Sequence, residues 1–425
     1  MNLLVVGGGG REHAIIKKLR ENPEVTTIYA LPGNGGIAAD AICVSEIGAK
    51  DIDKIVEFAQ GHAIDFAVVA PDDPLALGCV DRLHEVGIPC FGPDAKAARI
   101  EASKVFSKNL MKKYGIPTAS YEVFNDPAKA MEYLTGASFP IVIKADGLAL
   151  GKGVLIPQNL EEAKEAVKSI MEDKAFGDSG NEIVIEEFLT GPEVSVLAFT
   201  DGTAIAPMIS SMDHKRAGDG DTGLNTGGMG TIAPNPCYTA EVAERCMNEI
   251  FLPTLAAMRA EGCPFKGCLY FGLMVTPNGP KVIEYNCRVG DPETQVVLPL
   301  LKTDLLTVMQ AVENETLGQL QVEWHDGAAA CVILASGGYP GSYAKGKVMT
   351  LPETTPANVT IYHAGDKLQD GVLVTSGGRV LGVTATAPTL AEALKDAYAA
   401  TELVEFEGKY KRNDIGQRAL AIMEG

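Results

Sequence analysis

The chain has 425 residues, 46% of them apolar, and a formal net charge of −19 at pH 7. That length supports a large core divided into roughly two to four domains of about 100 to 200 residues. The acidic balance argues against a nucleic-acid or membrane surface, which lysine and arginine would build, yet it leaves room for anionic small ligands, because screening over ~8 Å lets a local cluster set the potential inside a cleft.

Leu3 to Val6 reads as a short apolar strand, Gly7 to Gly10 as a turn, and Arg11 to Leu19 as a helix with Ala14, Ile15 and Leu19 on one stripe. Strand, glycine turn and helix present bare N–H groups and the positive end of a helix, which favours phosphate. The dinucleotide pattern is incomplete: Glu12 stands where a third glycine belongs, and the second strand, Thr26 to Ala30, ends in Leu31 and Pro32 rather than an acid. Phosphate or ribose-phosphate is therefore expected over NAD, a plain tight turn being the alternative. The loops after strands two and three (Phe66 to Val69) fall at carboxyl ends of parallel strands, where open α/β sheets bind ligands. Pro89 to Gly92 is a fourth strand, and Asp94 the N-cap of a helix of about twenty residues ending before Gly115. This alternation implies a doubly wound domain ending near residue 100.

From Pro117 strands come in antiparallel pairs. Ile141 to Ala145 and Gly153 to Pro157 flank a glycine-rich tip. It is no P-loop, because Gly147 to Gly151 is a residue too short and Lys152 is followed by Gly153 and a strand. A flap over phosphates, with Lys144 and Lys152, is expected instead. After a helix from Leu160 to Met171, Glu182 to Phe188 and Glu193 to Phe199 form a hairpin; alternation is expected to bury Val194, Val196 and Ala198 and turn Glu193 and Ser195 outward. Glu186, Glu187 and Leu189 then sit at a hinge whose carboxylates and backbone edge suit an adenine and a ribose, or are merely exposed acids.

Ser210 to Pro236 carries six glycines between Gly218 and Gly230, with Lys215 and Arg216 among Asp213, Asp219 and Asp221. A loop of that length is functional or disordered; it is expected to close on a substrate bearing both signs of charge. A helix from Thr239 to Glu261 precedes a hairpin of Gly267 to Val275 and Lys281 to Tyr285 around Asn278-Gly279. Residues two apart on a strand share a face, so Glu284, Asn286 and Arg288 are expected together: two oxygen ligands for Mg²⁺ and a guanidinium for a phosphate. A surface salt bridge at a strand end accounts for them equally well. Beyond Trp324 a third domain is expected, with a strand from Ala328 to Ser336, a hairpin of Val372 to Thr375 and Arg379 to Ala385 around Ser376, and a helix from Thr389 to Thr401.

Three stretches, KADGLALGKGV, DHKRAGDGDTGLNTGGMG and NCRVGDPETQ, in that order with an N-terminal GGGGREH and the later ASGGYPG and TSGGRVL, resemble the ATP-grasp superfamily and, more closely, its phosphoribosylamine–glycine ligase family. The resemblance implies an α/β (α+β ATP-grasp) fold: a doubly wound parallel preATP-grasp domain over 1–101 that binds phosphoribosylamine, an ATP-grasp domain over 102–325 with a lid at about 118–190, and a small C-terminal α+β domain over 326–425. It implies ATP-dependent ligation of glycine to 5-phosphoribosylamine. Lys104, Lys144, Gly151 and Lys152 are then expected at the ATP phosphates, Glu186 and Leu189 at the adenine, Glu193 at the ribose, and Glu284 and Asn286 at Mg²⁺ or Mn²⁺. Arg288 and Asp291, with Lys215 and Asp213, are expected to carry the chemistry, Asn225 to touch substrate, and Gly9, Gly10 and Asn34 to hold the 5-phosphate. Relatives often carry a second metal-binding acid on the partner strand of Glu284; here that run is Tyr270 to Met274 without one, leaving the number of metals open. A cytoplasmic protein is expected, since Met1 enters a strand with no signal-peptide pattern and nine cysteines lack a CxxC pair; a monomer is expected as well.

Overall fold

A computed structural model describes residues 1–149 and 153–425. The N-terminal sheet is wholly parallel, its strands running in space Ile42–Cys43, Thr27–Pro32, Asn2–Gly7, Phe66–Val69 and Cys90–Phe91. The first strand lies between Thr27–Pro32 and Phe66–Val69, so the order reverses at its carboxyl end, above the Gly7–Gly10 turn. Ile42–Cys43 was not anticipated; two residues carry no readable alternation. The expected twenty-residue helix is two, Ala95–Ala102 and Lys104–Tyr114, broken at Ser103 with φ −134° and ψ 112°. Ser103 caps the second by accepting the Phe106 N–H at 3.0 Å, and its hydroxyl donates to Asp146 at 3.1 Å.

Two antiparallel four-stranded sheets follow. Tyr121–Phe124, Ile183–Glu187, Ile141–Ala145 and Val154–Leu155 form one, with Pro127–Leu134 and Leu160–Val167 packed on it around Ile143, Val167 and Ile185. Ile205–Pro207, Glu193–Asp201, Lys266–Thr276 and Gly279–Asn286 form the other. Here the expected one-sided strand is corrected: Glu193–Asp201 is buried on both faces, Val194, Val196 and Ala198 entering one core and Leu197 and Phe199 another. An inner strand covered on both sides loses the alternation that an edge strand shows.

The fifteen-residue stretch from Asp213 to Gly227 and its flanks are not a free loop. Met212–Asp213 and Gly230–Ala233 join Ala328–Ala335, Arg379–Ala387 and Val359–His363 in a five-stranded sheet, because Met212 and Ile232 bury fully in the C-terminal core. Between them Arg216–Gly218 and Thr222–Asn225 make a hairpin. Val372–Thr375 pairs with Asp366–Gln369 and not, as expected, with Arg379–Ala387. Among the described residues no helix is long and apolar enough to cross a membrane.

Candidate active site

The strand Gly279–Asn286 owes its chemistry to one irregularity. Its register against Lys266–Thr276 skips Ile283: Val282 faces Leu273, whereas Glu284 faces Gly272. A bulge advances the side-chain alternation by one residue. Without it Glu284 and Asn286 would follow Val282 into the core; with it they stand half-buried on the open face while Tyr285 and Cys287 turn in. The Ile283 carbonyl accepts the Lys144 ammonium at 3.1 Å.

Burial raises the pKa of Glu284, but Lys215, Lys144, Lys104 and Arg288 outweigh it and hold the carboxyl below its ordinary value. It is therefore an anion at neutral pH. Asn286 donates its amide N–H to Glu101 at 2.9 Å, which leaves its amide oxygen as the outward atom. One carboxylate and one amide oxygen suit a hard divalent cation that keeps water or phosphate oxygens in its remaining positions. Among the described residues no group of three or more His, Cys, Asp or Glu could hold a metal.

Lys144 and Lys108 grip the buried Glu186 carboxylate from either side, each at 3.1 Å. Glu186 is thus an internal counter-ion that sets the two lysines, with no carboxylate face left exposed at the hinge. Burial, partly offset by Glu186, lowers the Lys108 pKa to about 8. Lys104, first residue after the Ser103 break, donates to the Gly147 carbonyl at 2.7 Å; burial lowers its pKa too. Leu189 is half-buried beside the hinge. Glu193 pairs with Lys215 at 3.3 Å, which raises the lysine's pKa well above ordinary. Gly151 and Lys152 lie outside the described residues.

A second cluster adjoins this one. Arg288 reaches Glu101 at 3.1 Å; burial opposes its charge, but Glu101 and then Asp72 hold its pKa above ordinary. Asp213 is pushed the other way, its pKa raised by burial and then by Glu293, which itself accepts the Tyr270 hydroxyl at 2.9 Å. Gly228, at φ +124°, lets the chain pass where a Cβ would come within 2.6 Å of Asp213 and 2.5 Å of Pro292. Asp291 accepts from Gln295 at 2.8 Å and from the Arg11 backbone at 3.3 Å, and Arg379 stands 3.6 Å from it.

The contact of the Arg11 backbone with Asp291 bears on the glycine turn. Gly9 gives its N–H to Glu12 at 2.6 Å and Arg11 gives its own to Asp291, so two of the helix's free donors already face carboxylates of the chain. Gly10 lies against Gln295 and Asp291. Asn34 has no donor to spare: its amide nitrogen serves the carbonyls of Gly8, His363 and Ala364 at 3.0, 2.9 and 3.3 Å, and its oxygen accepts the Ile37 N–H. It ties the first domain to the last. Asn225 lies exposed on the hairpin, apart from the cluster. Sequence reasoning missed Glu101, Glu293, Tyr270 and Arg379; Glu293 and Arg379 lay within stretches already singled out, whereas nothing near Glu101 marks it.

Residues 1–101, 102–294 and 329–418 match, in turn, the N domain, the ATP-grasp (A) domain and the C domain of phosphoribosylglycinamide synthetase. The chain belongs to the phosphoribosylglycinamide synthetase family. Within that family it is 48% identical to a phosphoribosylamine–glycine ligase of Chlorobaculum tepidum, over 99% of this chain and 100% of the relative. A bifunctional purine biosynthetic protein of Pichia angusta is 49% identical over 99% of the chain, which spans about half, 54%, of that protein's length. The crystal structure of phosphoribosylamine–glycine ligase from Thermotoga maritima superposes with a TM-score of 0.85 at 37% identity, covering 98% of this chain and all of that one. The synthetase family accounts for the α/β architecture, with an ATP-grasp unit carrying the Glu284 strand between a parallel domain and the sheet that takes in Met212–Asp213.

Proposed function

We propose that the protein ligates glycine to 5-phosphoribosylamine, the two compounds its relatives' names carry, and that it cleaves ATP to ADP and phosphate through a glycyl phosphate. The reading rests on one juxtaposition: Glu284, an anion surrounded by Lys104, Lys144, Lys215 and Arg288, stands one strand end away from Asp291, where the glycine turn and Arg379 meet. A carboxylate cannot acylate an amine until one oxygen becomes a leaving group, so ATP must first phosphorylate glycine.

In this scheme Lys104 and Lys144, together with Gly151 and Lys152, draw in the ATP phosphates, and the stretch from Glu186 to Leu189 takes the adenine while Glu193 takes the ribose. Mg²⁺ or Mn²⁺ on Glu284 and Asn286 would neutralise charge on the phosphate oxygens. Arg288, kept charged by Glu101, stabilises the phosphoryl group in flight. Asp291 receives the glycine ammonium. Asp213, carrying a raised pKa, takes the proton that the phosphoribosylamine nitrogen loses on attacking the acyl carbon, and Lys215 steadies the departing phosphate. Gly9, Gly10 and the turn around Asn34 line the seat of the 5-phosphate. The working divisions are 1–101 for phosphoribosylamine, 102–325 for ATP with a lid at about 118–190, and 326–425 as a closing domain; the protein acts as a cytoplasmic monomer.

The test is phosphate release from ATP, Mg²⁺, glycine and freshly generated phosphoribosylamine. Release that requires both other substrates and yields an amide is expected; release indifferent to phosphoribosylamine would overturn the assignment. Glu284→Gln is expected to abolish Mg²⁺-dependent turnover with an unchanged circular dichroism spectrum, and near-normal rates would remove the metal role.

A further inference from the structure

The glycine-rich segment Asp213–Gly230 has its site residues at its roots, Asp213, Lys215 and Gly228, and its hairpin tip elsewhere. Among the described residues nothing apolar holds that tip: Thr222–Asn225 is exposed throughout, and Leu224 is 67% exposed. Polar bonds to the last domain hold it instead, most of them to one short stretch, with Arg418 just beyond it reaching Asp221 at 3.1 Å. Arg412, 1% exposed, divides its guanidinium: Nε and Nη2 meet Asp414, both at 2.8 Å, while Nη1 reaches across to the Arg216 carbonyl at 3.1 Å and the Asp221 carboxylate at 3.0 Å. Asp414 in turn accepts the Gly220 N–H at 2.8 Å, and the Tyr410 hydroxyl donates to the Ala217 carbonyl at 2.6 Å.

The root is tied to the same stretch. Gly416 donates its N–H to His214 Nε2 at 3.1 Å, so the imidazole proton sits on Nδ1 and goes to the Gly230 carbonyl at 3.0 Å. His214 therefore joins both roots of the segment to the turn before the helix Gln417–Glu424, from a position between Asp213 and Lys215. A buried guanidinium is a poor way to gain stability, since apolar side chains of similar volume usually serve as well. What it supplies is a definite register between two pieces of chain.

We propose that Tyr410–Gly416 is a latch that holds the glycine-rich segment closed over the reacting carboxyl, with Arg412 as its positioning residue, so that the last domain determines what fraction of ATP ends in amide. This rests on the ligation reading above. With the latch open, water reaches the acyl phosphate: its hydroxyl bonds to the acyl carbon, the carbon–oxygen bond to phosphate breaks, and glycine and inorganic phosphate return, for a net ATP + H₂O → ADP + phosphate.

The experiment measures ADP and amide together in the full-length enzyme supplied with ATP, Mg²⁺, glycine and phosphoribosylamine. The parent is expected to release one ADP per amide; no amide at all would refute the ligation reading and not the latch. Arg412→Ala is expected to raise the ratio to about two or more, with Arg412→Lys between it and the parent. Asp221→Gly removes the one loop carboxylate that Arg412 meets, which Arg418 also meets at 3.1 Å, keeps the φ of +55° found there, and leaves the domain core untouched, so it decides the matter should Arg412→Ala fail to fold. A purely structural role lowers ADP and amide in parallel; a ratio that stays at one in Asp221→Gly overturns the latch.

Discussion

Replacing Glu101 by glutamine tests the site where it is least visible from the sequence. The carboxylate is 8% exposed and accepts three donors: the Asn286 amide at 2.9 Å, the Cys287 N–H at 2.7 Å and Arg288 at 3.1 Å. A glutamine keeps one oxygen and sets an NH₂ against at least one of those donors, whichever way it is flipped. The lost acceptor costs about 1–3 kcal/mol. Losing the counter-charge of Arg288 costs less than the roughly 3–5 kcal/mol of a fully buried pair, because that side chain is 17% exposed and Asp72 remains near. About 3 kcal/mol in all is expected, read as a lower urea midpoint. Turnover at saturating ATP should fall about 10²-fold, as the Asn286 oxygen and the Arg288 fork leave their places. Turnover within about threefold of the parent, with an unshifted midpoint, would refute the claim that Glu101 sets both groups.

Two further expectations concern the seam between the first and last domains. His13 is 1% exposed, lies 2.8 Å from Asp40, and accepts the His363 N–H on Nδ1 at 2.8 Å, so it is neutral; burial chiefly lowers its pKa from 6.5 to about 4. Between those values the unfolded chain binds a proton that the folded chain does not. Its contribution is thus complete above pH 6.5 and declines by about 3 kcal/mol as the pH falls to 4. Urea midpoints at pH 7 and 4.5 should converge in His13→Gln relative to the parent; an unchanged pH slope counts against this. Gly36→Ala places a Cβ 1.8 Å from the His363 ring, so a loss of about 1–3 kcal/mol is expected in thermal unfolding, and a neutral result would mean the seam yields freely.

Much of the local order was legible because it depends on neighbours in the chain. The Leu3–Val6 strand, the glycine turn and the helix after it, the Asn278-Gly279 hairpin and the capped helix Leu390–Thr401 all rest on periodicity, turn residues and caps, which act over a few residues. The stretches NCRVGDPETQ and DHKRAGDGDTGLNTGGMG likewise drew attention to Arg288, Asp291, Asp213 and Lys215 from residue types and order alone.

What remained hidden depends on residues far apart. The bulge at Ile283 forms against a strand ten residues back and receives Lys144 from another sheet. Glu101 meets Asn286 across 185 positions, and Arg412 meets Asp221 across 191. Asn34, which read as a phosphate ligand, spends its amide on carbonyls more than 300 positions away. Sequence pattern determined which groups are present and which element each stands on, because those follow from local sterics and periodicity. Tertiary structure alone decided which carboxylate neutralises which cation and which donors stay free, because charge and desolvation act through space, and only folding sets those distances.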